Sequence, residues 1–212
     1  MISIPGIENQ KELQSLPYFT KNAASVLIGK TGRNLDKKIA QLTKIGYLET
    51  FKKGFYVSSA YAEKMPNEPY SEFIANVLRS PSYLSCEYVL AKEGLIAESV
   101  FAVTSITTKT SRSFSNFLGT FMYKNIKSGL FTGYYESYWE EKIIYIATKA
   151  KALFDYFYLK KMENIEQEIY DSRINWNNFS REDLHKFEKY VTLASGKKMF
   201  NVLKWIKRNY VN

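Results

Sequence analysis

The sequence is poor in the residues that most metal and thiol sites need. Its 212 residues include one cysteine, Cys86, and one histidine, His185. A lone cysteine excludes a disulfide within the chain and is typical of a reducing compartment. Because neither residue has a second cysteine or histidine to act with, we expect no metal site, no cofactor and no thiol nucleophile. His185 lies in a polar, capped segment, so we expect it on the surface.

Long apolar segments and phosphate-binding glycine loops are also missing. No apolar run approaches the roughly 20 residues that a membrane-spanning helix needs. The N-terminal stretch "MISIPGIENQKELQ" has no basic region followed by an apolar one, so we expect no secretory signal. No internal repeat or low-complexity tract is visible. The expected location is therefore the cytoplasm of a bacterium or archaeon, away from membranes.

What the sequence does have is a globular composition and an unevenly distributed positive charge. With 45% hydrophobic and 24% charged residues, it predicts a folded protein rather than a disordered one. The net charge is +9. Residues 1–58 carry nine lysines and arginines against four acidic residues, whereas the remaining 154 residues carry 21 against 17. This concentration of charge near the N-terminus favours a polyanionic partner at that end.

The first 58 residues predict three short helices followed by a β-hairpin. Thr20 is a suitable N-cap for the second helix, and "IGKTG" predicts a turn into a third helix that ends near Gly46. Four apolar residues of the third helix recur at helical spacing and are expected to be buried: Leu35, Ile39, Leu42 and Ile45. This order is that of a winged helix-turn-helix domain, whose third helix enters the DNA major groove while the hairpin contacts adjacent DNA.

Cations and amides surround this third helix and the turn of the hairpin. Lysines are suited to neutralise phosphates, while arginine, asparagine and glutamine have the geometry to read base edges. The predicted DNA-binding residues are Lys30, Thr31, Arg33, Asn34, Lys37, Lys38, Gln41, Lys44, Lys52 and Lys53. The alternative for the same pattern is a solvated helix in a domain that binds protein.

The rest of the chain predicts a larger α+β domain. The stretch "AEKMPNEP" (62–69) is polar and contains two prolines, so it is the expected linker between domains at 1–61 and 70–212. Several antiparallel strands are expected between Ser99 and Ile146, followed by helices. The predicted fold class is therefore α+β, with an N-terminal winged helix-turn-helix and helices at the C-terminus.

Catalytic patterns are scarce. Glu140, Glu141 and Lys142 precede the apolar stretch "IIYIA", an arrangement that faintly resembles the carboxylate–lysine set of metal-dependent nucleases. A solvated entry to a strand is the favoured interpretation. We therefore expect that the protein is not an enzyme, and a metal-dependent nuclease remains the remote alternative.

Four segments carry a resemblance to a known family. They are "YLSCEYVLAKEGLI" (83–96), "VFAVTSITTKTSRSF" (100–114), "GTFMYKNIKSGLFTGY" (119–134) and "IATKAKALFDYFYL" (146–159). Following a predicted winged helix in this order, they resemble the AbiEi antitoxins of type IV toxin–antitoxin systems, which are linked to abortive infection. The resemblance spans roughly residues 8 to 160. One departure is Ala150-Lys151, where family members often carry Glu-Lys.

The resemblance implies a DNA-binding autorepressor that is also an antitoxin. Its partners would be its own operator in double-stranded DNA and, as a functional antagonist without a stable complex, a nucleotidyltransferase-like toxin. The glycine–serine and paired-aspartate signature of the toxin is missing here. The expected assembly is a monomer or a weak, DNA-induced oligomer.

A second basic surface is predicted in the larger domain. It consists of four cations around the predicted strands, which are candidates for the antitoxin surface: Lys109, Arg112, Lys124 and Lys127. Scattered surface cations are the alternative interpretation. The alternative function is a winged-helix transcriptional regulator whose second domain senses a ligand or dimerises; the gene beside this one would distinguish the two.

Overall fold

A computed structural model of the protein describes residues 7–98 and 100–210. Within these residues the chain forms two compact units. Unit 1 comprises residues 7–70 together with 114–118, and unit 2 comprises the other described residues up to 210. Predictions that concern residues 1–6, 99 and 211–212 lie outside the described residues.

Unit 1 consists of short helices and a three-stranded antiparallel sheet. Its helices are α1 (Gln10–Ser15), α2 (Lys21–Ile28), α3 (Gly32–Lys44) and α4 (Ser59–Ala62), and it includes the start of α5 (Asn67–Leu78). Its strands are β1 (Phe19–Thr20), β2 (Leu48–Lys52) and β3 (Phe55–Ser58), in the order β1-β3-β2. Residues 67–69 of the predicted linker therefore form the first turn of α5.

One apolar core holds these elements together. It contains Leu13 of α1, Leu27 of α2, and Leu35, Ile39 and Leu42 of α3, all of them buried. Ile45, predicted to extend the same stripe, is 59% exposed, so that prediction is wrong. Ile45 is the C-cap residue of α3, where the helical backbone ends. Helical spacing therefore no longer determines that its side chain faces the core.

Residues distant in sequence pack around β2 within unit 1. Tyr70 is fully buried, and its hydroxyl donates a 2.7 Å hydrogen bond to the carbonyl of Pro17. The ring of Phe51 lies 5.3 Å from that of Phe117, and the side-chain amide of Asn116 donates to the Phe51 carbonyl at 3.2 Å. A first domain limited to residues 1–61 would not include Tyr70, Asn116 or Phe117, which contact β2 and Pro17 within unit 1.

Unit 2 combines a six-stranded mixed sheet with helices. The strands are β4 (Ser82–Leu84), β5 (Ala102–Thr107), β6 (Arg112–Asn116), β7 (Gly119–Asn125), β8 (Tyr134–Trp139) and β9 (Lys142–Ala147). Residues 114–116 of β6 are part of unit 1. The helices after α5 are α6 (Cys86–Lys92), α7 (Lys149–Leu159), α8 (Ile165–Asp171), α9 (Arg181–Ala194) and α10 (Lys197–Tyr210), with short 3-10 helices at Ser128–Leu130 and Trp176–Asn178. No helix in the described ranges has the length and apolar character of a membrane span.

The α+β class is confirmed, and the second sheet, for which several antiparallel strands were expected, is mixed. The strand order is β6-β7-β5-β4-β9-β8. β5 runs parallel to β7, and β4 runs parallel to β9 at Leu84 and Ile146, whereas β4–β5 and β8–β9 are antiparallel. The alternation of polar and apolar residues indicates that a segment is a strand, but it carries no information on the direction of its neighbour.

A buried ion pair lies in the interior of unit 2. Lys151 and Asp155 of α7 are both fully buried, with Nζ and Oδ1 2.7 Å apart. Lys151 also donates to the carbonyl of Leu130 at 2.9 Å. The second carboxylate oxygen accepts hydrogen bonds from Tyr83 at 3.0 Å and from Ser85 at 2.8 Å. Burial raises the pKa of the Asp155 carboxyl, and its ammonium and hydroxyl partners oppose that rise.

Removal of one partner of this pair should destabilise the protein strongly. We expect Lys151→Met to lower the free energy of unfolding by about 3–5 kcal/mol, because it leaves the Asp155 carboxylate buried without its counter-ion. Asp155→Leu should have a cost of the same kind. The double variant should lose less than the sum of the two single losses, because it removes both charges together. Urea unfolding followed by circular dichroism measures all three values.

The exposed pair of Glu182 and Lys186 is a suitable control. It has the same spacing of four residues along a helix and the same 2.7 Å separation, but its side chains are 43% (Lys186) and 77% (Glu182) exposed. Lys186→Met should leave the unfolding curve unchanged within error, because exposed pairs contribute little. Strictly additive losses at Lys151 and Asp155 would contradict the coupling proposed for the buried pair.

Candidate nucleic-acid interface

The junction of α2 and α3 is a tight turn built by local signals. The hydroxyl of Thr20 accepts the backbone N–H of Ala23 at 3.3 Å, which confirms the predicted cap of α2. Gly29 ends α2 in the left-handed conformation, with φ of 71°, which favours glycine. Thr31 then precedes α3 with an extended backbone. Only Gly29, Lys30 and Thr31 separate the two helices.

The face of α3 that lies away from the core carries the predicted polar residues. The buried stripe of Leu35, Ile39 and Leu42 fixes the orientation of the helix. At about 100° per residue, Arg33, Lys37 and Lys44 project opposite that stripe. Thr31, Arg33, Asn34, Lys37, Gln41 and Lys44 are all exposed, and Lys30 and Lys38 are half-buried. The structure thus brings the predicted residues of this helix onto one solvent-facing surface.

The single carboxylate of α3 is paired with a cation from α2. Nζ of Lys21 lies 2.5 Å from Oδ1 of Asp36, and both side chains are about half exposed. Such a pair adds little stability, but it offsets the only negative charge of the helix. The sequence gives no sign of this role for Lys21, because the two residues are 15 positions apart and no local pattern joins them.

The hairpin presents one of its two predicted lysines more openly than the other. Lys53 is exposed beside Gly54, whose φ of 85° fits a tight turn. Lys52 is half-buried, and its Nζ lies 4.2 Å from the centre of the Phe55 ring and 5.3 Å from that of Phe114. The register between β2 and β3 shifts between Thr50 and Lys52. Lys53 is therefore the better placed of the two to contact a partner.

The four predicted cations of unit 2 do not form a uniform free surface. Nζ of Lys124 lies 2.9 Å from Glu87, and Nζ of Lys109 donates to the carbonyl of Ser80. Lys109, Arg112 and Lys127 are exposed, and no side-chain hydrogen bond or ion pair within the described residues holds Arg112 or Lys127. The structure therefore leaves Arg112 and Lys127 as the pair best placed to meet another molecule.

The residues considered for catalysis lie in different surroundings. Cys86 is fully buried, and burial raises the pKa of its thiol well above the ordinary value. His185 is exposed, as expected. Lys142 lies 2.6 Å from Glu140 and 4.8 Å from the ring of Trp139. Within the described ranges, no three histidine, cysteine or acidic residues cluster as a metal site would require.

The aromatic residues of the sheet divide into buried and exposed groups. Tyr123 is buried, and its hydroxyl donates to the carbonyl of Ala75 at 2.6 Å. Tyr134 stacks on the buried ring of Tyr83 with 4.7 Å between ring centres. Tyr135 and Tyr138 of β8 are exposed.

No model of a known protein family matches the chain, and none of the curated proteins compared with it is significantly similar. The resemblance to AbiEi antitoxins therefore stays a prediction from the sequence.

Replacement of two lysines on the exposed face of α3 should weaken binding to any DNA duplex. We expect Lys37→Ala combined with Lys44→Ala to reduce the slope of log affinity against log salt by about 0.9 for each phosphate that is no longer neutralised. Fluorescence anisotropy with a labelled duplex, repeated at several salt concentrations, measures this slope. Lys11 and Lys64 are exposed lysines of unit 1 outside α3 and the hairpin. Their double replacement by alanine should leave the slope higher than in the α3 variant, and equal slopes would rule out α3 as the DNA-facing helix.

Proposed function

We propose that unit 1 is a winged helix-turn-helix domain that binds double-stranded DNA. The observation that supports this best is the exposed face of α3, which presents Arg33, Lys37 and Lys44 opposite a fully buried stripe. The order of α2, a three-residue turn, α3 and a two-stranded hairpin is the order such domains use. In this arrangement α3 enters the major groove and Lys53 contacts the adjacent backbone.

The side chains of α3 differ in whether they contact phosphates or base edges, and this difference follows from their chemistry. Lys37 and Lys44 act as point charges for phosphates, which supply affinity without sequence preference. Arg33 lies in the first turn of α3, where side chains of a recognition helix meet base edges. Its guanidinium group pairs with guanine through two hydrogen bonds, and Asn34 pairs in the same manner with adenine. The Lys21–Asp36 pair keeps the one carboxylate of this helix from repelling the phosphates.

A finer proposal concerns the biological role. The protein represses its own operon and counteracts a nucleotidyltransferase-like toxin without forming a stable complex with it. This role rests on the resemblance of residues 8 to 160 to AbiEi antitoxins. The exposed cations Arg112 and Lys127 of unit 2 are the candidate antitoxin residues.

Sequence preference should depend on Arg33 and Asn34 and not on the lysines. The test is a titration of the promoter fragment upstream of this gene and of a shuffled fragment with equal base composition. Arg33→Ala should lower the preference for the promoter by about 1–3 kcal/mol. The variant with alanine at Lys37 and Lys44 should weaken binding to both fragments by similar factors. A wild-type protein that binds neither fragment would contradict the proposed function.

The antitoxin role is tested by growth after co-expression with a nucleotidyltransferase encoded beside this gene. The wild-type chain should restore growth. Charge reversal at Arg112 and Lys127 to glutamate should abolish rescue while promoter binding is retained. The control is reversal at Lys161 and Lys189, two other exposed cations of unit 2, which should leave rescue intact. Full rescue by the reversed Arg112 and Lys127 variant would remove the antitoxin role from this surface.

A further inference from the structure

The C-terminal end of unit 2 carries an aromatic cluster that the proposed function does not use. The ring of Trp176 stacks on that of Tyr210, with 4.6 Å between centres and an interplanar angle of 24°. Trp205 lies 5.5 Å from Tyr210 and 6.4 Å from Trp176. Trp176 and Trp205 are half-buried, whereas Tyr210 is 47% exposed. The two tryptophan rings are thus held within unit 2, whereas the edge of the Tyr210 ring is open to solvent.

Residues of this cluster line two surface cavities. One, of about 360 Å³, is lined by Tyr170, Arg173, Trp176 and Tyr210 among others. The second, of about 280 Å³, is lined by Trp205 together with Lys204 and Arg208. Tyr170, at the end of α8, is 74% exposed. Trp176 and Tyr210 line the first cavity, and Trp205, which contacts both rings, lines the second.

The charges around the cavities favour an anion. Arg173, Lys204 and Arg208 are exposed and form no ion pair with another described residue. Lys207, in contrast, is paired with Glu188 at 2.8 Å. The cavities also contain two acidic residues, Asp171 and Glu166, and the carboxylate of Asp171 accepts a 2.8 Å hydrogen bond from Gln167. Three cations, none of them in an ion pair within the described part of the chain, and two carboxylates therefore line the cavities beside the aromatic rings, which leaves a net positive charge.

We propose that this surface binds single-stranded nucleic acid. Bases stack on Tyr170 and on the open edge of the Trp176–Tyr210 stack, and phosphates contact Arg173, Lys204 and Arg208. Aromatic platforms beside cations are the usual means of holding unpaired bases, because every base has a π-face and a neighbouring phosphate. A duplex is a poor ligand here, since its base faces are already covered by stacking within the helix.

The proposal is tested with the full chain carrying alanine at Lys37 and Lys44, so that the proposed duplex-binding face contributes least. Labelled single-stranded 12-mers of RNA and of DNA, of identical mixed sequence, are titrated by anisotropy. Tyr170→Ala should weaken binding by about 5-fold to 150-fold if one base stacks on this ring. Arg173→Gln combined with Arg208→Gln should reduce the salt slope by about 0.7 for each phosphate that is no longer neutralised. The ratio of the RNA and DNA affinities identifies which of the two is preferred.

Tryptophan fluorescence gives an independent reading. The chain has three tryptophans, and Trp139→Phe leaves only Trp176 and Trp205 as reporters. Oligonucleotide binding should quench this emission, and Tyr138→Ala should change neither quenching nor affinity, since Tyr138 is an exposed tyrosine of β8 outside the cluster. Circular dichroism must show that Tyr170→Ala is folded.

Three results would overturn the proposal. The first is the absence of binding to both oligonucleotides. The second is equal affinity for the 12-mer and for a single mononucleotide, which would indicate a small-molecule pocket. The third is an equal decrease of affinity in the Tyr138 and Tyr170 variants. Because duplex binding by α3 is measured separately, none of these outcomes bears on the function proposed for unit 1.

Discussion

The carboxylate of Asp155 has to be satisfied inside unit 2, and this requirement organises the unit. A buried charge without partners is too costly to persist, so the chain must deliver donors to it. Lys151 comes from the preceding turn of α7, Tyr83 from β4, and Ser85 from the residue before α6. The ammonium of Lys151 in turn holds the carbonyl of Leu130. The ion pair of Lys151 and Asp155 therefore joins three segments of the chain: α7, residues 83–85 and Leu130.

Side chains that donate hydrogen bonds to Asp155 cannot at the same time cap a helix or bind a ligand. Ser85 is by type and position a suitable cap for α6, but α6 has no side-chain cap bond from this residue. Its hydroxyl bonds to the carboxylate instead. Lysines follow the same logic. Lys151 and Lys124 are paired with carboxylates, so their positive charges are not evidence of an anionic partner, whereas Lys109 is exposed and bonds to a neutral carbonyl. The exposed cations of α3 have no comparable commitment to the interior.

Features decided by a few neighbouring residues could be predicted from the sequence. The caps of α2 at Thr20, of α7 at Thr148 and of α9 at Ser180 depend on residues three positions apart, and all three are present. The buried stripe of α3 was predictable for the same reason. What could not be predicted depends on distant partners: the parallel pairing of β5 with β7, the burial of Lys151, and the pairing of Lys21 with Asp36. The exposed face of α3 was predictable, whereas the pairing of Lys124 with Glu87 was not.

Because Cys86 is buried, the folded protein is unreactive toward thiol reagents. Oxidants and maleimides react with an accessible thiolate, and this thiol is neither exposed nor readily ionised. Cellular oxidants therefore do not readily oxidise this protein at its cysteine. The same property makes the wild-type sequence a ready background for spectroscopy. A cysteine introduced at an exposed position would react alone, and a single dye or spin label would report on the protein without removal of the native residue.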